Sequence, residues 1–178
     1  MKITIFGLAG SGTSTIGKML CEHLWYDFMS TGNIFRSFAA DAGIDLYTFE
    51  NTIAKHDINF DKKLDAYAAE YGEKNNNFVF ESRLAWYFIP DSFKIYLDCN
   101  KDERYRRIHN REWGNLDEIV TNNSRRESEL ELRYSQVYPE ILFPPKKGNF
   151  DLYIDASSIS PEEILSQINT ALESWNFI

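Results

Sequence analysis

Gly7-Leu8-Ala9-Gly10-Ser11-Gly12-Thr13-Ser14 joins a short apolar segment, Ile3–Phe6, to a segment of helical periodicity. A glycine-rich turn in that setting points backbone N–H groups and a helix N-terminus at one place, and so can cradle phosphate. The spacing fits GxxxxGK[ST] at every position but one, because Thr13 stands where the lysine belongs. It does not fit GxGxxG, since residue 15 is threonine. Losing a charged hydrogen bond typically costs about 1.5–3 kcal/mol, a factor of roughly 10–150 at about 1.4 kcal/mol per tenfold, unless another cation substitutes. Lys18 lies more than a turn inside the helix and is a poor substitute, whereas an arginine from a closing flap would serve better. The candidate phosphate-binding set is Gly7, Leu8, Ala9, Gly10, Ser11, Gly12, Thr13, Ser14 and Thr15. Ser14 holds the hydroxyl position of the pattern and is the candidate Mg²⁺ ligand. A tight turn without a ligand, and a hydroxyl that merely satisfies a helix-start amide, are the plainer alternatives.

The arginines are the second group able to do chemistry. Seven of nine lie between Arg104 and Arg133, and the other two are Arg36 and Arg83. Arginine grips phosphate with a planar fork that keeps its charge, where lysine acts as a point charge. Arg104, Arg107 and Arg111 fall at i, i+3 and i+7, hence on one helix face, and Arg126 and Arg133 share another. Two such faces closing over a phosphate loop would form an electrostatic clamp on a moving phosphoryl group. An exposed helix laced with ordinary ion pairs remains open as the alternative, because acidic residues are interleaved in the same stretch. Asp61 and Asp65, one turn apart, could read a base edge or sugar hydroxyls, or could lie on a solvated face.

The elements that must position these groups alternate. Ile3–Phe6, Tyr26–Ser30, Phe78–Glu81, Phe93–Leu97 and Asp151–Asp155 read as strands. Helical patterns cover Thr13–Leu24, Asn33–Ala42, Leu46–Lys55 and Phe60–Tyr71, with Gly43 and Gly72 as stop signals. Asn100 caps a helix that Gly114 would end. A longer helix reaches Tyr138, with a break or bend predicted near Asn122–Ser124. Ser160-Pro161-Glu162-Glu163 starts the last one. Strand–helix alternation at these lengths predicts an α/β fold, a doubly wound parallel five-stranded sheet flanked by helices.

At 178 residues the chain holds one sizeable core and is too short for two ordinary domains. A formal charge of −8 argues against nucleic-acid and membrane-surface partners. No apolar run is long enough to span a bilayer, and the N-terminal segment lacks a small-residue cleavage pattern, so the cytoplasm is expected. Cys21 and Cys99 lack CxxC spacing and read as buried hydrophobes of a reducing compartment. His23, His56 and His109 are scattered and suggest no metal site.

From Met1 to about Trp175 the chain resembles the archaeal-type cytidylate kinases, P-loop nucleoside monophosphate kinases. The resemblance is carried by the GSGT[ST]T loop and by Ser30-Thr31-Gly32-Asn33-Ile34-Phe35-Arg36, similar to S-[AT]-G-x-x-F-R. It is carried further by the spaced Asp57, Asp61 and Asp65, by Glu81-Ser82-Arg83-Leu84-Ala85 and by Arg104, Arg107 and Arg111 at R-x-x-R-I-x-x-R positions. Arg126, Arg133, Tyr134 and Tyr138 match a second arginine–tyrosine pattern. It implies transfer of the ATP γ-phosphoryl to CMP or dCMP with Mg²⁺, with Arg104 on the triphosphate and Arg107, Arg111, Arg126 and Arg133 as catalytic clamp. Thr31, Gly32, Arg36, Asp61, Asp65 and Arg83 would bind the acceptor, Arg36 and Arg83 at its phosphate. The core would be 1–30, 77–100 and 150–178, an acceptor flap about 31–76 and an arginine-rich lid about 101–138. Thr13, Ser82 for glycine and Trp86 for glycine depart from the pattern. Thr13 leaves open a nucleotide-binding protein with impaired catalysis, and the acceptor could also be AMP, UMP or a shikimate-like alcohol.

Overall fold

The structure, a computed structural model, describes residues 1–44, 46–49, 58–112 and 115–175. Five strands, β1 (Lys2–Phe6), β2 (Asp27–Ser30), β3 (Phe78–Glu81), β4 (Phe93–Asp98) and β5 (Leu152–Asp155), alternate with eight described helices. The helices are α1 (Thr13–Leu24), α2 (Thr31–Asp41), α3 (Leu46–Phe49), α4 (Ile58–Lys74), α5 (Ala85–Phe88), α6 (Lys101–Glu112), α7 (Leu116–Val137) and α8 (Pro161–Trp175). All strand pairs are parallel, in the order β2-β3-β1-β4-β5, with Ile3 opposite both Val79 and Phe93. The expected doubly wound sheet is therefore present, and the glycine loop leaves the carboxyl end of its central strand, where such sheets bind ligands.

Period-2 alternation sorts the core into two chemically different layers. Ile3 and Ile5 join Val79, Ile95 and Leu97 on an aliphatic face, closed by Ile16 and Leu20 of α1 and by Ile164, Ile168 and Leu172 of α8. Phe6 points to the opposite, aromatic face. It meets Tyr96 edge-on at 4.8 Å and Phe143 at 6.0 Å, while Phe78 and Phe80 pack with Ala68, Ala85 and Ile89. The α2–α4 segment has its own small aromatic core: Phe60 lies 5.0 Å from Phe35 and 5.5 Å from Phe49.

Several local signals act as the sequence predicts. Ser160 and Glu163 form a reciprocal capping box, with the Glu163 N–H on Ser160 Oγ at 3.2 Å and the Ser160 N–H on Glu163 Oε2 at 2.7 Å. Asn100 Oδ1 accepts the Glu103 N–H at 2.9 Å and starts α6. Gly43 follows α2 with φ +69°. Cys21 and Cys99 are buried, and burial raises both thiols, Cys21 to about 11.

Two expectations are corrected. Gly72 does not stop a helix; it lies inside α4, where a Cβ would stand 3.0 Å from the Ile89 side chain. It is small because α4 and the α5 segment approach closely there. No break occurs at Asn122–Ser124: α7 runs through, and the buried Asn123 amide donates to the Ile119 carbonyl one turn back at 2.9 Å. Of the Leu46–Lys55 helix, Leu46–Phe49 is described; Asp57 and Gly114 lie outside the described residues. Gly72→Val should lower stability by about 1–3 kcal/mol through overpacking, read as a lower urea midpoint. Gly148→Ala, with open space around it, should stay within about 0.5 kcal/mol of the parent.

Candidate active site

The glycine loop is held in shape from behind. Gly10 and Gly12 have φ +86° and +100°, and a Cβ on Gly10 would fall 2.4 Å from the Arg104 carbonyl oxygen. Ser11 N–H closes the turn on the Leu8 carbonyl at 3.0 Å. Arg104, 3% exposed, donates to the carbonyls of Ala9 at 3.0 Å and Cys99 at 3.2 Å, and pairs with Glu127 of α7. Arg107 donates to Ser11 O at 3.3 Å, to Ala156 O at 2.7 Å and to Glu103 at 2.7 Å. Two of the loop carbonyls, Ala9 and Ser11, are thus held by arginines of α6.

The front of the loop meets the end of β3. Thr13 Oγ1 donates to Glu81 Oε1 at 2.6 Å, and Ser14 Oγ reaches both Glu81 oxygens at 2.9 Å. Two residues on, Arg83 donates through Nη1 to the carbonyl of Gly7, the first residue of the loop. Burial pulls the Arg83 pKa down, with Tyr134 and Glu81 opposing and the charge of Arg126 adding to the effect. Trp86 lies under this turn and donates Nε1 to the Arg83 carbonyl at 3.0 Å. Leu8 packs against the aromatic face, Ala9 against Tyr105 and Ile108, and Thr15 is exposed on α1.

Helix α2 starts directly at the carboxyl end of β2, where Ser30 stands opposite Glu81. Thr31 Oγ1 lies 3.5 Å from the Glu81 carbonyl. The exposed Arg36 folds back over Gly32 and donates to Asn33 Oδ1 at 2.6 Å. Asp61 and Asp65 are buried, at 4% and 6% exposure, rather than spread on a solvated face. Arg133 Nε stands 3.0 Å from Asp61, and the Tyr138 hydroxyl donates to Asp65 at 2.7 Å, so α4 is tied to the far end of α7.

The structure thus gathers Thr13, Ser14, Arg83, Arg104 and Arg107 around the loop, and Arg133 with the two aspartates. Arg111 is not brought to the loop; it is exposed and paired with Glu112. Sequence reasoning assigned no role to Glu81, Glu127 or Tyr138. Glu81 carried a usable signal, as a carboxylate ending a strand beside the loop strand. Glu127 directly follows Arg126 in the second arginine–tyrosine pattern, but nothing in the spacing tied it to Arg104.

Burial, above all, raises the Asp65 pKa to about 7; Tyr138's hydrogen bond opposes this, Asp61 adds to it and Arg133 opposes it. An unfolded aspartate titrates near ~4, so the folded state binds more protons between about pH 4 and 7. Stability therefore falls as pH rises through that window. Asp65→Asn keeps an acceptor for Tyr138 and removes the titration. It should melt above the parent at pH 8 and lose this part of the pH slope, read as melting temperature at pH 5 and 8.

Known proteins bear on this geometry. A family model described as an AAA domain matches residues 3–130. The chain is 34% identical to a cytidylate kinase of Methanobrevibacter smithii over 97% of its own length and 99% of that protein. It is 30% identical to a cytidylate kinase of Methanococcoides burtonii over 98% of each. Among solved structures, a shikimate kinase of Aquifex aeolicus matches with TM-score 0.60 at 18% identity over 99% of both chains. An uncharacterized protein of Eubacterium ventriosum matches with TM-score 0.73 at 16% identity, over 98% of this chain and 99% of that one. These two share the fold. The sequence likeness spans nearly the whole length of this chain and of its relatives, and on that footing the chain belongs to the archaeal-type cytidylate kinases.

Proposed function

We propose that this kinase moves the γ-phosphoryl group of ATP onto CMP or dCMP, giving CDP or dCDP and ADP. The observation that carries the acceptor assignment is the end-to-end kinship with cytidylate kinases. Phosphoryl transfer needs positioning and charge stabilisation more than covalent chemistry. The loop amides and the start of α1 would hold the triphosphate, with Arg104 and Arg107 bracing them. The start of α2, with Thr31, Gly32 and Arg36, would hold the acceptor phosphate. Arg83, between loop and α2, would face both. Asp61 and Asp65 would line the nucleoside end, where Arg133 and Tyr138 already fix them.

In the reaction an acceptor phosphate oxygen bonds to the γ-phosphorus as the bond to the β–γ bridging oxygen breaks, and ADP leaves with that electron pair. Arg83 and Arg126 would neutralise the charge on the transferring group. Mg²⁺ takes hard oxygen ligands, and the Ser14 hydroxyl 2.9 Å from the Glu81 carboxylate is an oxygen pair of that kind. When bound, the ion supplies positive charge to the phosphate oxygens. The substrates are soluble nucleotides and the expected compartment is the cytoplasm; among the described residues no helix is long and apolar enough to cross a membrane.

A panel of CMP, dCMP, UMP, AMP and GMP with ATP and Mg²⁺ tests the assignment. CMP and dCMP should give the highest kcat/KM, and AMP ahead of CMP by tenfold would refute the acceptor. No transfer to any of the five would leave a nucleotide-binding protein. Arg36→Ala should raise the KM for CMP by roughly 10–150-fold, the loss of one charged hydrogen bond, with triphosphate affinity little changed.

A further inference from the structure

We infer that Arg83 supplies, at the phosphate loop, the positive charge that Thr13 does not. The inference rests on the kinase reading above and names which residue completes its donor site.

Thr13 and Arg83 converge on one residue, Gly7. The Thr13 methyl lies against it: a Cβ on Gly7 would stand 2.7 Å from Thr13 Cγ2. The Thr13 hydroxyl is turned onto Glu81, and the side chain is 7% exposed. The space where a lysine stem would leave the helix is filled by a short, uncharged group that is anchored at its tip. On the carbonyl side of the same glycine, Arg83 places its guanidinium. A cation bonded to the first carbonyl of the loop stands at the loop's entry from β1.

Four of the other arginines are committed elsewhere, while Arg126 lies close enough to Arg83 for its charge to act on it. Arg104 is 3% exposed and paired with Glu127, behind the loop. Arg107 has donors on Glu103, Ser11 O and Ala156 O. Arg111 pairs with Glu112 at the surface, and Arg133 with Asp61 on the flap. Arg83 spends one of its guanidinium donors on Gly7, and its planar fork leaves others for phosphate oxygens. Arginine also suits this place better than lysine would, because it keeps its charge under burial that pulls an ammonium toward neutrality. Its strand completes the case. β3 lies between β1, which carries the loop, and β2, which leads into α2. A charge at the end of β3 therefore stands between donor and acceptor, where a lysine from the loop would be aimed.

The test is a four-protein cycle of the parent, Arg83→Gln, Thr13→Lys and the double variant, read as binding of AMP-PNP with Mg²⁺ by titration calorimetry, with CMP binding measured separately. Arg83→Gln keeps an N–H near Gly7 and removes the charge. It should weaken AMP-PNP by about tenfold or more, the scale of one charged hydrogen bond. Thr13→Lys should recover most of that loss when combined with Arg83→Gln and gain less than about threefold in the parent, where Arg83 already holds the place. Arg83→Lys, the conservative variant, should bind AMP-PNP better than Arg83→Gln by about threefold or more. If the glutamine variant does not fold, Arg83→Lys carries the test by staying within about threefold of the parent, and a loss of about tenfold or more that Thr13→Lys does not recover overturns the inference. Arg83→Gln that binds AMP-PNP like the parent and loses only CMP would overturn the inference. So would a Thr13→Lys change that helps both backgrounds equally, or Arg83→Lys no better than Arg83→Gln. These readouts do not depend on which nucleotide is phosphorylated, so a wrong acceptor assignment leaves them interpretable.

Discussion

The Arg104 guanidinium, almost entirely out of water, donates to the carbonyls of Ala9 and Cys99 and pairs with Glu127. One cation thereby joins the phosphate loop, the end of β4 and helix α7. Breaking a fully buried pair costs about 3–5 kcal/mol because a charge is left stranded; with Glu127 a quarter exposed, the cost here is smaller but falls on a buried guanidinium. More than stability depends on it. The loop contains two residues at positive φ, and Gly10 fits only because nothing projects from it toward the Arg104 backbone. Arg104 and Arg107 hold the Ala9 and Ser11 carbonyls from the α6 side, so the shape of the loop depends on what is bonded behind it.

Strand order carries the second dependence. Because β3 separates β1 from β2, whatever ends β3 stands between the loop and the start of α2. In this chain that is Glu81, taking the hydroxyls of Thr13 and Ser14, and then Arg83 on Gly7. An anionic and a cationic side chain two residues apart so meet the loop from one strand end, the first holding two hydroxyls and the second a carbonyl.

The fold was legible because its signals are local. Alternation of apolar strands with amphipathic helices, a capping box at Ser160 and a glycine loop after the first strand each need only a few neighbouring residues. Gly72 misled for the same reason: a glycine near the end of a helical pattern looks like a stop, and the crowding by Ile89 that explains it comes from a different element. Helical spacing placed Arg104, Arg107 and Arg111 on related faces but could not say what lies across from them. The structure sends the first two to loop carbonyls and the third to the surface. Asp61 and Asp65 read equally well as a solvated face, since the residues that bury them, Arg133 and Tyr138, lie some seventy positions away. Distance along the chain, rather than subtlety of chemistry, set the limit.

The bracing of the loop has a consequence in ordering entropy. A segment already fixed in its binding conformation gives up little freedom when a phosphate arrives, and preorganisation of this sort spares affinity that would otherwise be lost. The start of α2, proposed for the acceptor, is built differently. Arg36 is exposed and turned onto Asn33 of its own helix, a bond it would have to give up to meet a ligand. On the proposed assignment the two nucleotides would meet unequal demands from one protein: the donor would enter a site whose disorder was removed during folding, and the acceptor would have to impose its own.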